Sequence, residues 1–75
     1  MKPEDVVAEV FGLHAATVND ATSNENVAAW DSMGHINLLV ELESRYSVSF
    51  SAADALRLTS VAAIKTALSD RGIRW

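Results

Sequence analysis

Apolar residues recur along this chain at helical spacing, and no stretch keeps the strict alternation of a half-buried strand, so the pattern predicts an all-α protein. Pro3 suits a first helical turn, and Glu4 and Asp5 favour the positive end of a helix dipole. Val6, Val7, Val10 and Phe11 then fall on one face, and Gly12 marks the stop. From there to Asp31 the letters turn to Thr, Asn, Asp and Ser, a long loop with Leu13, Val18, Val27 and Trp30 as expected core anchors. A loop of that length in so short a chain is uncommon and often functional.

The clearest helix runs from Ser32 to Tyr46. At 100° per residue, Ile36, Leu39, Leu42 and Tyr46 share one sector, with Met33 and Val40 on one flank and Leu38 on the other. Gly34, Asn37, Glu41, Ser44 and Arg45 lie opposite. The apolar sector is wider than one packed neighbour needs, so either several elements surround the helix or part of it is left for a partner. Val48 and Phe50 read as a short extended link, and Ala52 to Leu56 as a brief helical turn. Ser60 is a good N-cap for a last helix carrying Val61, Ile64 and Leu68, with Gly72 as its end. The expected architecture is a small four-helix bundle, three main helices and one short, forming a single domain over residues 1–75 with the long loop between the first two.

Composition restricts the function classes. A chain of 75 residues has little interior to spare beside its core, which disfavours a self-contained enzyme. The absence of cysteine excludes disulfides and thiolate metal sites, and a reducing cytoplasm is the expected compartment. The opening MKPEDVVAEV places acids where a secretory signal needs an apolar run, and no stretch approaches a membrane span. Net charge is −4. Residues 1–43 hold eight acids against Lys2, whereas residues 44–75 hold five bases against Asp54 and Asp70, so the charge is dipolar. An acidic surface disfavours nucleic acid and anionic lipid as partners and suits basic patches on other proteins.

Asp31-Ser32, at the junction of the loop and the long helix, is the most informative pair. A serine there sits on a rigid element with its hydroxyl accessible, near a dipole end that favours an attached phosphate. Helix capping by Asp31 or Ser32 accounts for the same letters, and the two roles can coexist. Asp31, Ser32 and His35 spell a catalytic triad but crowd onto one turn without an oxyanion-hole motif. His14 and His35 lack partners at metal-ligand spacing; His35 reads as a surface residue, Trp30 as a core plug and Trp75 as a fraying end.

The stretch Trp30-Asp31-Ser32-Met33-Gly34-His35-Ile36-Asn37-Leu38-Leu39, continued by Val40-Glu41-Leu42-Glu43, together with Phe50-Ser51 and Leu58-Thr59-Ser60-Val61-Ala62-Ala63-Ile64, resembles the acyl carrier protein family over essentially the whole chain. The resemblance implies that Ser32 receives a 4'-phosphopantetheine arm from coenzyme A through a phosphopantetheinyl transferase, with Asp31 assisting attachment. It implies a non-catalytic carrier, a monomer, holding an acyl or aminoacyl group as a thioester. Met33, Ile36 and Val40, with Glu41 and Glu43, match positions that meet partner enzymes, among them a loading ligase and downstream synthases or transferases. Fatty-acid-synthesis carriers usually bear a strongly acidic second helix, whereas Gly34, Asn37 and Ser44 are neutral here. That departure favours a specialised polyketide, nonribosomal-peptide or aminoacyl-carrier pathway over fatty acid synthesis. An unmodified helical interaction module is the rival from another class.

Overall fold

The computed structural model describes residues 1–75 and is all-helical. Helix α1 spans Pro3–Phe11, a 3-10 turn follows at Ala15–Thr17, and α2 spans Ser32–Tyr46, α3 Ala52–Arg57 and α4 Val61–Asp70. The core joins Val6, Val7 and Ala8 of α1 with Leu38 and Leu42 of α2, Leu58, and Val61, Ile64 and Leu68 of α4. Val18 and Trp30 close it from the loop. No helix is long and apolar enough to cross a membrane.

Three helix boundaries follow directly from local chemistry. Ser60 Oγ accepts from Ala63 N at 3.1 Å, and Ser51 and Asp54 form a reciprocal capping box at the start of α3. Helix α1 ends at Gly12, whose φ of 67° turns the Leu13 N–H back onto the Ala8 carbonyl at 2.8 Å. Helix α2 ends instead on Ser47, held at φ 53°, where a side chain is strained. Ser47→Gly should therefore raise stability by about 0.5–1 kcal/mol, read as a higher urea midpoint at unchanged slope.

Burial on α2 differs from the expected sector. Leu38 and Leu42 are fully buried, while Ile36, placed by periodicity with the core residues, is 55% exposed. The apolar residues cover more than half of the helix circumference, and the packing of α1 and α4 selects the Leu38 and Leu42 side. What remains outside is a row formed by Met33, Ile36 and Val40.

The long loop is fastened rather than free. Asn19 Oδ1 accepts from Ala21 N, and Asn26 donates to the Ala21 carbonyl and accepts from Ser23 N. The loop then zips onto the start of α4: Asn24 N donates to Thr59 O, Val61 N to Thr22 O and Ala62 N to Asp20 O. Lys65 adds an ionic clamp at 2.7 Å from both Glu4 of α1 and Asp20 of the loop. Burial pushes the Glu4 carboxyl up, but the hydrogen bond and charge of Lys65 outweigh it and hold Glu4 below its ordinary 4.5. A lowered carboxyl contributes stability that is fully present above about pH 4.5 and is lost as pH falls through the lowered folded value. Lys65→Met should thus cost more at pH 7 than at pH 3, a convergence visible in urea melts at the two pH values.

Candidate functional site

The site begins with a division of labour between Asp31 and Ser32. Asp31 takes an extended N-cap conformation, and its Oδ1 accepts from Gly34 N at 2.9 Å. The cap is therefore Asp31, and Ser32, the first residue of α2, is exposed with no hydrogen bond on its hydroxyl within the protein. A free hydroxyl on the first turn of a fifteen-residue helix is held rigidly and faces the favourable dipole end for a phosphate ester.

Behind Ser32 the structure assigns roles that residue types alone did not. Trp30 is 3% exposed and stacks on Phe11, with ring centroids 5.2 Å apart. Its Nε1 donates to His35 Nδ1 at 3.0 Å. Accepting at Nδ1 places the His35 proton on Nε2, which donates to the Ala55 carbonyl at 2.7 Å. His35, expected on the surface, is thus half-buried and ties the loop, α2 and α3 together. Both ring nitrogens are occupied, and neither bonds Ser32.

Gly34, expected on the polar side of α2, is a packing position. A Cβ there would collide with the Ala29 carbonyl oxygen and lie 2.9 Å from Phe11 Cε1. One signal for this is present in the sequence: glycine in the first turns of an otherwise good helix costs about 1 kcal/mol against alanine, which points to close approach of another group. His35 offers a weaker signal, since its partner Ala55 lies twenty residues away.

A cleft of about 370 Å³ opens beside Ser32. Asn24 and Thr59 line it together with Ala55 and Leu56 of α3, and Trp30, Asp31 and His35 complete it. Leu56 is 82% exposed. The row of Met33, Ile36 and Val40 begins next to Ser32 and continues along α2, with Asn37 and Ser44 also outside.

The two α2 acids named from the sequence are engaged within the protein. Glu41 accepts from Arg45 Nε at 3.0 Å, and Arg45 also grips Glu9 of α1 at 2.8 Å. The Arg45 hydrogen bonds and charge hold the Glu9 carboxyl below its ordinary value. Glu43 is half-buried and accepts from Phe50 N at 2.8 Å, fixing the link that leads to α3. The exposed row of α2 is apolar, with the neutral Asn37 and Ser44 beside it, while Glu41 shares Arg45 with Glu9 and Glu43 keeps its charge at the link to α3. A scan against models of known protein families finds no match to this chain, and a search of curated proteins finds none either.

Proposed function

We propose that this chain is a carrier protein whose Ser32 bears a 4'-phosphopantetheine arm and presents a thioester-bound acyl or aminoacyl group to partner enzymes. The observation that carries the reading is the free, exposed hydroxyl of Ser32 on the first turn of α2, with helix capping assigned to Asp31. The residues around it fit the arm. The dipole end of α2 favours the phosphate, and the adjoining cleft, lined by Asn24, Thr59 and the exposed Leu56, has the mixed polar and apolar lining that suits a chain of amides and methyl groups. Attachment joins Ser32 Oγ to the phosphate nearest the pantetheine, expels the adenosine bisphosphate half of coenzyme A, and passes the hydroxyl proton to the transferase. Once attached, the arm supplies a terminal thiol for thioester formation. The carrier itself contributes position, and chemistry on the bound group belongs to the enzymes that dock.

Met33, Ile36 and Val40 form the docking row beside the arm, and the neutral Gly34, Asn37 and Ser44 near it suit partners that recognise apolar shape more than acidic charge. This supports a specialised pathway, of polyketide, nonribosomal-peptide or aminoacyl-carrier type, over general fatty acid synthesis. Efficient turnover of the loaded protein by fatty acid synthase enzymes would reverse that preference.

Intact-mass measurement after incubation with coenzyme A and a broad-specificity transferase tests the carrier reading. One phosphopantetheine addition on the wild type is the expected outcome. The exposed row on α2 also fits an unmodified helical interaction module. A wild-type chain that stays at its unmodified mass, while binding a partner through Met33, Ile36 and Val40, would establish that second reading instead.

A further inference from the structure

Helix α3 is poorly held by apolar packing. None of its side chains is buried, and Ala52, Ala53, Leu56 and Arg57 are exposed. Its ends are anchored by the half-buried Phe50, under the Arg71 guanidinium at 4.9 Å, and by the fully buried Leu58. Between those anchors two polar links tie it to the rest of the protein: Asp54 to Arg71 at 2.7 Å, and the Ala55 carbonyl to His35 Nε2 at 2.7 Å. An element held this way has a low cost of local opening.

The geometry points to His35 as a proton-operated latch that holds α3 to the Trp30 indole beside Ser32 when neutral and lets α3 go when protonated. The bonds require the neutral ring, since Nδ1 must accept from Trp30 while Nε2 donates to Ala55. A second proton turns Nδ1 into a donor facing the Trp30 N–H across 3.0 Å. Trp30 is almost wholly buried and stacked on Phe11, so the half-buried His35 ring is the partner free to move, and its departure relieves the conflict. When the ring swings away from Trp30, Nε2 leaves the Ala55 carbonyl and α3 loses its link to α2.

The surrounding charges direct the movement. Asp31 is the other titratable side chain lining the cleft; its Oδ1 is engaged with Gly34 N and its Oδ2 has no bond. One turn before His35 on the same helix, it offers the displaced imidazolium a counter-charge beside Ser32. On α3, Asp54 is already committed to Arg71 and Ser51, and Arg57 is a cation that gives no pull. Glu25, the acid of the adjoining loop segment, is exposed and does not line the cleft. Protonation of the ring, by breaking the Trp30 and Ala55 bonds, opens the cleft next to the serine. The latch is a property of the bare chain and does not rest on modification of Ser32.

The test is a titration between about pH 8 and pH 5 followed by NMR on unmodified Trp75→Phe protein, which leaves Trp30 as the one indole. The expected result is that the Trp30 indole N–H resonance shifts with the same midpoint as the His35 ring. Amide protons at residues 52–57, corrected for the intrinsic pH dependence of exchange, lose protection over the same interval. His35→Gln presents one acceptor and one donor but does not titrate, so it should keep the closed resonance at every pH, whereas His14→Gln should respond as the parent does. A Trp30 resonance that stays fixed while the His35 ring titrates overturns the latch, as does a His35→Gln protein that responds to acid like the parent. Should His35→Gln fail to fold, the comparison of the Trp30 and His35 resonances in the Trp75→Phe parent decides alone.

Discussion

Gly34→Ala should lower the thermal midpoint by roughly 5–15 °C, although the same change on an open helix surface would raise it. Alanine gains up to about 1 kcal/mol of intrinsic helix preference over glycine. Here the added methyl group would meet the Ala29 carbonyl oxygen and the Phe11 ring. A side chain can turn aside, but the Ala29 carbonyl is backbone, so the loop or the first turn of α2 must move. Overpacking of this kind costs about 1–3 kcal/mol or more and exceeds the propensity gain where the obstacle is rigid. A domain of this size is stable by only about 4–11 kcal/mol, so the loss is a large share of the total. Each 1 kcal/mol corresponds to roughly 4–8 °C for a chain of this length. Circular dichroism melts would decide it, and a midpoint equal to or above the parent's would show that Gly34 is not sterically required.

Ser32→Ala should do the reverse, leaving the fold alone and abolishing addition of phosphopantetheine completely. Ser32 is exposed and its hydroxyl supports no bond in the protein, so its removal should change stability by no more than about 0.5 kcal/mol. Unmodified mass under conditions that load the wild type, with an unchanged melt, is the expected pair of results. A Ser32→Ala protein that still gains the adduct would place the attachment elsewhere and end the assignment of Ser32. Asp31→Ala separates the neighbours further, because Asp31 is the residue whose carboxylate caps the helix. Losing that cap should cost about 1 kcal/mol.

Together these substitutions distinguish adjacent residues by what they touch. Asp31 starts the helix, Ser32 is left free, and Gly34 admits the loop backbone. His35 then holds the loop to α3. The clustering also sharpens the docking argument: Gly34 cannot carry a side chain without displacing backbone, so its neutrality has a steric cause. Farther along α2 the low charge density rests on Asn37 and Ser44, with Glu41 paired to Arg45 and Glu43 turned to Phe50 N as a carboxylate that keeps its charge.

Helix number, order and ends were legible in the letters, because they depend on groups a few residues apart. Pro3 with its acids, Asp31 before α2, Ser60 before α4 and the glycines at 12 and 72 act through the first or last turn of a helix, where the relevant distances are local. The free serine was legible as one of two possibilities, since either Asp31 or Ser32 could have capped α2. Tertiary structure decided which side of the broad apolar sector of α2 became core, burying Leu38 and exposing Ile36 through the placement of α1 and α4. It also decided that Gly34 is a contact point and that His35 bridges Trp30 to a carbonyl twenty residues away. Periodicity records how a helix is coloured around its axis; what covers each colour depends on chain segments distant in sequence, and those meet only when the fold closes.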